Sequence, residues 1–420
     1  FIFKTLGGSI MENCKVIVGI DVSSKDSTVC VLMDKVRQGK TFKISNDMVG
    51  FQQLYKRLRL YSVIPLIVFE STGVYSLSLQ AFLEKKHIQY LKLNPLKAKK
   101  LMDNNLRHNK TDQVDAYRLA LIQFNAPQKL LKPQSRAYHE MQNASRYYEE
   151  LNKAMVVAKN QLHRNLQTTF PQIENLMCHP TGKIYWSVVA LFPHAQAVLD
   201  SNKEHILGEL ETISGLSQKK AEYLTQRLIS LARLTCAYDN KDSIVIRAIQ
   251  RNIASLFSLD QEKKEALAYL YKLASKNQAD TRILTIYQSI PGIAKTTALR
   301  LLAELGDLRR FDSPNQIDAF IGIDPGIYQS GELDSHLSIT KHGNSIARKI
   351  MYLSIGQMES VKTTQPCHIT DYYDRKKSSQ SRGFKKIAIA SVHKLIRTMY
   401  ALVTKNQLYD YNVATRNQRL

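Results

Sequence analysis

The hydrophobic pattern changes twice along the chain, and these changes limit the folds open to it. Up to about Gln128, three early strand-like runs are followed by apolar runs that alternate with amphipathic stretches. This order predicts an α/β domain with a mixed sheet. Over residues 132–281 the strand pattern disappears, and long helical periodicity predicts antiparallel helices of a bundle or coiled coil. From residue 282 onward the sequence predicts an all-α region. It contains two helices separated by a turn at Pro291 and Gly292, a Gly/Ser/Asp-rich loop around residues 322–345, and basic helices.

The net charge limits the class of partner. Lys and Arg number 59 against 36 Asp and Glu, which gives a formal net charge of +23. The last 80 residues, from Lys341, hold 15 Lys/Arg and only four acids. Such a surplus favours a polyanionic partner, most often nucleic acid, with an acidic membrane surface as the alternative. No apolar run approaches the ~18 residues of a spanning helix, so we predict that the protein is not an integral membrane protein.

The cysteines and the N-terminus add two expectations. The five cysteines form no CxxC pair, which indicates reduced thiols and argues against a disulfide framework or a zinc site. The first ten residues lack the cleavage site of a signal peptide, and we expect Met11 to be the natural start.

Four carboxylates of the first region could form one site. Asp21 and Glu70 each end a predicted strand, and Asp112 and Asp115 lie three residues apart on a predicted helix, hence on one face. Converging carboxylates suit Mg²⁺ or Mn²⁺, and two such ions form a clamp used in phosphoryl transfer. Each residue also has an ordinary alternative. Asp21 could be a turn residue, Glu70 could merely end its strand, and Asp112 could cap a helix with Asp115 at its third position.

The segment SIPGIAKTTALRLLAEL predicts a helix-hairpin-helix. Its hairpin and the following helix start offer backbone N–H groups to a phosphate, and an ordinary helical packing unit is the alternative. The segment ISGLSQKKAEYL at 213–224 is weakly similar to this one and contains Lys219 and Lys220. The residues predicted to contact nucleic acid in the first segment are Gly292, Lys295, Thr296 and Thr297.

The segment IGIDPGIYQSG places Ser330 beside a glycine, shortly before basic residues. A serine nucleophile needs exposure and nearby positive charge or metal, and Lys341 and Arg348 supply charge for a phosphate. An ordinary Ser-Gly turn is the alternative, and Ser338 competes for the role.

Several of these motifs together resemble one known family. GIDVSSKDS, VFESTGVY and KTDQVDAYRLA are similar to the N-terminal DEDD, RuvC-like domain of the IS110/IS1111 group of insertion-sequence transposases. IPGIAKTTALRLLAELGDLRRF, IGIDPGIYQSG and ITKHGN are similar to its C-terminal domain. The sequence departs from the group's pattern at Ser24, at Ala294 and at Leu337–Ser338.

The resemblance implies an RNase H-like fold, Mg²⁺ and recombination of DNA guided by a structured RNA encoded beside the gene. It implies that Asp21, Glu70, Asp112 and Asp115 form the acidic tetrad and that Ser330 is the catalytic serine. The corresponding domains are a RuvC-like catalytic domain at 11–128, a helical coiled-coil spacer at 129–281, a serine-bearing domain at 282–405 and a tail at 406–420.

The sequence thus predicts a transposase that cuts and rejoins DNA through a serine-linked intermediate. A RuvC-like resolvase that uses metal-activated water and a non-catalytic DNA- or RNA-binding protein are the alternatives. The predicted partners are donor and target DNA and a guide RNA, without a membrane, and the predicted location is the bacterial cytoplasm with the nucleoid. Because helices such as 244–275 need to bury their apolar stripes, we also predict a dimer, and a tetramer once two duplexes are aligned.

Overall fold

The computed structural model describes residues 15–71, 73–102, 111–127, 136–178, 180–330, 333–379 and 382–416, with the backbone alone at 96, 97, 100, 102, 136, 325–330 and 333–337. Met11, Cys14 and the predicted domain boundary at 128–129 lie outside the described residues. The chain divides into two compact units, residues 1–133 and 134–420.

The first unit is an α/β domain, as the pattern predicts. Its six-stranded sheet has the order β3-β2-β1-β5-β6, and β4 also pairs with β2. β1 is antiparallel to β2 and parallel to β5, which is parallel to β6, so the sheet is mixed. The elements are β1 (Val16–Val22), β2 (Asp26–Met33), β3 (Val36–Arg37), β4 (Phe42–Ser45), α1 (Met48–Leu58), β5 (Leu66–Glu70), α2 (Ser76–Lys85), β6 (Tyr90–Leu93), α3 (Pro95–Met102) and α4 (Asp112–Asn125).

The central strand β1 is buried on both faces because helices cover both sides of the sheet. Alternate residues of the strand, such as Val18 and Ile20, belong to the core formed with α1 and α2. Ile17, on the other face, belongs to a second core with Leu119 and Ala120 of α4. A strand enclosed in this way reads as a continuous apolar run, which explains the pattern KVIVGIDV.

In the part of the second unit that the structure describes, the chain is helical apart from one β-hairpin. Short 3₁₀ turns lie at Pro171–Asn175 and Leu308–Arg310. The other elements are α5 (Arg136–Thr169), α6 (Lys183–Leu191), α7 (Ala195–Leu199), α8 (Lys203–Glu211), α9 (Gln218–Arg233), α10 (Ile244–Ala274), α11 (Gln278–Gln288), α12 (Lys295–Leu305), α13 (Pro314–Ile321), β7 (Pro325–Ser330), β8 (Leu333–Ile339), α14 (Ser345–Val361), α15 (His368–Ser379), α16 (Phe384–Thr404) and α17 (Tyr411–Arg416).

The two longest helices, α5 and α10, pack antiparallel within one chain. Tyr269 donates a hydrogen bond to Glu140, and the Tyr147 hydroxyl donates to Glu262 at 2.9 Å, so the residue numbers run in opposite directions. The apolar stripe of α10 is buried in the two cores of this unit. The premise that these stripes need a second chain is therefore wrong, because the partner surfaces come from the same chain. The oligomeric state stays a prediction.

Two further expectations differ from the structure. The segment expected to be a loop at 322–345 contains the antiparallel pair β7 and β8. One helix, Phe384–Thr404, is long and apolar enough to cross a membrane by length and composition, although we expected no such run. Its buried residues, including Val392, Leu395 and Met399, pack in the core of the second unit, which is the ordinary reason for such a composition.

A buried histidine of this unit predicts a pH-dependent stability. Burial, and then the charge of Lys394, lowers the pKa of His368 to about 4, from 6.5. The unfolded chain therefore binds more protons between these values, and stability falls as pH drops from 6.5 towards 4, by up to about 3 kcal/mol. Urea unfolding at several pH values checks this: His368→Gln should flatten the slope in that window. Equal slopes in the two proteins would contradict the prediction.

Candidate functional site

Asp21 and Glu70 lie side by side at one edge of the sheet of the first unit. The parallel register between β1 and β5 pairs Ile20 with Phe69, and each acid is the next residue of its strand. Neighbouring strands are about 4.8 Å apart, and residues in register point to the same face. Side-chain alternation places both acids on the face covered by α4, because Ile17 and Val68 belong to the core with that helix. Both are half-buried.

A close approach between β1 and α4 holds the helix that carries the other two acids against the same face. A side chain at Gly19 would overlap the carbonyl oxygen of Ala116 and place its Cβ 2.6 Å from the backbone nitrogen of Ala120. Only glycine lets the helix backbone come this near. Asp21 lies two residues after Gly19 on this face, and Asp115 directly precedes Ala116. The helix that carries the predicted acidic pair is therefore packed against the strand that carries Asp21.

The start of α4 shows which residue caps this helix. Its N-cap is Thr111, whose hydroxyl accepts a hydrogen bond from the backbone N–H of Val114 at 3.3 Å. Asp112 and Asp115 lie in the first turn, where Asp112 is exposed and Asp115 half-buried. The interpretation of Asp112 as the cap is wrong, because Thr111 already performs that role.

The four carboxylates offer hard oxygen donors, which fit Mg²⁺ or Mn²⁺ by chemistry. Their present arrangement is looser than a metal site. Within the described parts of the chain, no three His, Cys, Asp or Glu side chains lie close enough to hold one ion. The structure thus brings Asp21 and Glu70 together and places the start of α4 on their face, without assembling three ligands.

Ser330 lies at the end of a β-hairpin in the second unit. It is the last residue of β7, and its backbone pairs with Leu333, the first residue of β8. The base of the hairpin is fixed by Thr340, whose N–H donates to the Asp324 carbonyl at 3.0 Å and whose hydroxyl donates to the Asp324 carboxylate at 2.6 Å. The serine is therefore carried on a paired ribbon rather than on the loop we expected. Ser338 lies on β8 and is exposed.

The two cations predicted to follow the serine have different surroundings. Lys341 is exposed at the base of the hairpin with a φ of 57°, and its N–H donates to the carbonyl of Gly322. The Arg348 guanidinium donates to the Ile321 carbonyl at 2.6 Å, at the end of α13. Arg348 therefore satisfies a helix C-terminus, and Lys341 is the more available of the two for a phosphate.

The predicted helix-hairpin-helix contains α11 and α12, and Gly292 has a φ of 78°. A Cβ there would lie 2.7 Å from the Cα of Met358 in α14. The close approach that glycine allows at this position is therefore to α14, and a contact between Gly292 and a phosphate stays a prediction. Lys295 is exposed with its Nζ 3.6 Å from the centre of the Tyr271 ring, and Thr297 donates to Gln357 at 3.4 Å. Thr296 is half-buried.

The weak sequence echo at 213–224 corresponds to a repeated backbone structure. The backbone N–H of Leu216 donates a hydrogen bond to the carbonyl of Ile213 at 3.1 Å. In the downstream segment, the N–H of Ile293 donates in the same way to the carbonyl of Ile290 at 3.1 Å. Gly215 has a φ of 82°, but nothing lies within 4 Å of the position that a Cβ would take. The upstream hairpin, between α8 and α9, therefore has free space beside its glycine, whereas α14 packs against the glycine of the downstream hairpin.

Sequence reasoning missed a buried carboxylate on α12. Glu304 is fully buried, and its Oε2 accepts a hydrogen bond from the Asn344 amide at 2.8 Å. Asn344 in turn caps α14, because its Oδ1 accepts the N–H groups of Ile346 and Ala347. No sequence signal separates Glu304 from the other acids on helices, since its role depends on a residue 40 positions away.

Two family models match the sequence in succession. One, described as a transposase and named DEDD_Tnp_IS110, matches residues 18–171. The other, described as the transposase IS116/IS110/IS902 family, matches residues 284–373. Together they cover more than half of the chain. The first match includes all four carboxylates, and the second includes Ser330.

Individual relatives align over shorter stretches. The transposase for insertion sequence element IS1111A of Coxiella burnetii is 31% identical over 127 residues, which are 29% of this chain and 33% of the relative. A putative transposase, y4qE, of Sinorhizobium fredii is 32% identical over 69 residues, 16% of this chain and 18% of the relative. The pilin gene-inverting protein of Moraxella bovis is 24% identical over 135 residues, 31% of this chain and 39% of the relative. The chain thus aligns with less than half the length of each of these three relatives.

Proposed function

The chain belongs to the IS110 family of insertion-sequence transposases, and from this premise we propose that it is a DNA transposase, which cuts and rejoins DNA when its element moves. One observation carries the proposal. The same chain holds both matched regions in order, and the first presents Asp21 and Glu70 side by side on the face covered by α4. A protein that only bound nucleic acid would not need an acidic pair at this edge.

The architecture of the first unit supports an RNase H-like domain. Its antiparallel strands come first, its parallel strands follow, and β1 lies between β2 and β5. Acidic side chains at the end of the central strand and on a packed helix fit metal-dependent phosphoryl transfer. We assign Asp21, Glu70, Asp112 and Asp115 as the residues that would hold Mg²⁺ or Mn²⁺.

When bound, such an ion would stabilise charge on the phosphate and the leaving oxygen. The chain's own residues prepare this site. Gly19 brings α4 onto β1, Thr111 sets the start of that helix, and the sheet register aligns Asp21 with Glu70. Bringing three carboxyl groups within reach of one ion requires a further movement of the side chains.

We assign Ser330 as the nucleophile. Its oxygen bonds to the scissile phosphorus, the bond from phosphorus to one bridging oxygen breaks, and the serine proton is lost while the released strand end gains one. The strand stays attached to the protein as a phosphodiester, so it can be rejoined to a new partner without ATP. The exposed Lys341 would contact the phosphate, and Lys295, Thr296 and Thr297 would contact a neighbouring backbone through the helix-hairpin-helix.

The partners follow from charge and from the relatives. The net charge of +23 suits DNA and a structured guide RNA. A relative named as a pilin gene-inverting protein supports recombination of DNA as the general reaction. Joining four strand ends needs more than one copy of the protein, so we keep a dimer, and a tetramer on two duplexes, as part of the proposal.

A cellular assay tests this function. The protein is expressed beside a marked copy of its element, and circular and newly inserted elements are detected by sequencing across the junctions. We expect both products with the flanking non-coding DNA present and only background when that DNA is deleted. Products that persist after the deletion would contradict RNA guidance, and the absence of any product with every part present would contradict transposase activity.

A further inference from the structure

A cavity of about 580 Å³ lies at the C-terminal end of the second unit, outside the residues assigned above. One wall is α16, and the other is the segment from Lys405 to Ala414, which folds back beside that helix. The volume is in the range of about 300–1,000 Å³ that is usual for ligand sites.

The returning segment is held in place at three points. The Arg282 guanidinium donates to Asn406 at 2.8 Å, and the backbone N–H of Tyr409 donates to the Ser289 hydroxyl at 2.9 Å. The Tyr411 hydroxyl donates to Asp371 at 2.9 Å. These bonds join the segment to α11 and α15, so the second wall belongs to the folded unit.

The cavity has a strong excess of positive charge. Lys394, Arg397 and Lys405 line it, against one acid, Asp410. The Asp410 carboxylate already accepts the N–H groups of Asn412 and Val413 at the start of α17. Among the described residues, no acid lies within 4.0 Å of the three cations to form an ion pair.

Two of these cations, Lys394 and Arg397, are three residues apart on α16, and their charges act on each other. Burial, and then the charges of Arg375 and Arg397, lowers the pKa of Lys394. The Lys394 ammonium lies 4.7 Å from the centre of the Tyr372 ring, which offers only a weak partner. A group of cations without a bound acid is stabilised by an anionic ligand, and a phosphate is the anion that this strongly basic chain is expected to meet.

The rest of the lining is mixed: His368, Thr398, Gln407 and Tyr409 are polar, and apolar side chains form a separate part of the wall. Leu408 is 48% exposed and Val413 is 53% exposed, and both face the cavity together with Ala401. A ligand that fits this site therefore combines an anion with a body that is apolar on one side and can form hydrogen bonds. A nucleotide has both, as a phosphate and a base whose face packs on apolar side chains.

We propose that this cavity binds one unpaired nucleotide of a nucleic-acid strand, with its phosphate on Lys394 and Arg397 and its base on the wall formed by Leu408 and Val413. The proposal rests on the proposed function only because that function supplies the strand. It is tested by binding without cleavage, so its failure and the failure of the transposase assignment are distinguishable.

The test measures fluorescence anisotropy of labelled oligothymidylate and oligouridylate strands of about ten nucleotides, within the size range of single-strand sites. A blunt DNA hairpin serves as the duplex probe. Arg397→Gln and Lys394→Gln should each weaken binding of a single strand about fivefold and reduce the salt dependence by about one phosphate contact. Lys385→Gln removes the same charge at the exposed start of α16, outside the cavity, and should change binding by less than about twofold.

A second variant tests the cavity without changing charge. Ala401 is exposed in the lining, so Ala401→Trp fills the space without disturbing the core, and thermal unfolding checks that the fold is kept. We expect single-strand binding to fall about fivefold or more, because the base loses its place. Strands carrying 4-thiouracil should crosslink to residues 405–414 in the unchanged protein.

The outcomes decide the proposal. If the cavity variants lose affinity for the DNA strand, the RNA strand or both, the result supports the proposal and identifies the kind of strand that is bound. Equal losses from Arg397→Gln and Lys385→Gln, or unchanged binding by Ala401→Trp, would overturn it in favour of general charge. An equal response of the duplex probe, or crosslinks confined to other segments, would also overturn it.

Discussion

Replacing Ser330 with alanine should abolish the covalent protein–DNA adduct while leaving nucleic-acid binding intact. Removing an enzyme's nucleophile lowers its rate by about 10⁴-fold or more, because the other groups cannot supply the missing bond. Affinity depends mainly on Lys and Arg near phosphates and should change little. The measurement is a denaturing gel of the protein incubated with labelled DNA that carries the target sequence, its guide RNA and Mg²⁺.

Ser338→Ala is the matched control for this experiment. Ser338 lies on the second strand of the same hairpin and is exposed, so the substitution removes a hydroxyl from the same ribbon. We expect wild-type amounts of adduct from this variant. Adducts that persist in Ser330→Ala and vanish in Ser338→Ala would transfer the role to Ser338. A wild-type protein that cuts without any adduct would favour the resolvase, in which water attacks the phosphate.

The first unit could be predicted from sequence because its signals are local. The runs around Val18 and Val68 are apolar and β-branched, so they predict buried strands wherever they pair. Strands that run parallel have their carboxyl ends at one edge, and for this reason Asp21 and Glu70 could be placed together before the structure was known. The role of Gly19 has no local sequence signal, because it depends on a helix about 100 residues later.

The second unit contains features that no local pattern shows. The strands around Ser330 are short and contain Gly, Ser and Asp, residues that usually indicate turns, so the hairpin was predicted as a loop. The turn at Gly292 was predicted, but its use for packing depends on Met358, 66 residues further along the chain. The cationic cavity combines α16 with a segment that carries no recognisable motif, and only the folded structure brings them together.

The second large expected effect is the loss of strand cleavage when one of the four carboxylates is replaced. Asp21→Ala or Asp115→Asn should reduce strand cleavage by at least about 100-fold, the usual cost of losing one group that stabilises charge in the transition state. Binding of DNA and RNA should stay close to that of the unchanged protein, because these residues bind phosphate only through a metal. The measurement compares cleavage in Mg²⁺ with affinity from anisotropy on the same substrates.

Glu84→Gln provides the matched control, since Glu84 is an exposed acid of the same unit. It accepts a hydrogen bond from Tyr90, the first residue of β6, and so lies at the opposite edge of the sheet from Asp21 and Glu70. This variant should cleave normally. A second readout is Mn²⁺ binding measured by calorimetry, which should weaken in the Asp21 and Asp115 variants and remain unchanged in Glu84→Gln. If Asp115→Asn cleaves fully and binds Mn²⁺ normally, the start of α4 supplies no ligand. The assignment of Asp115 as a metal ligand would then be wrong, in line with the described residues, in which no three such side chains lie within reach of one ion.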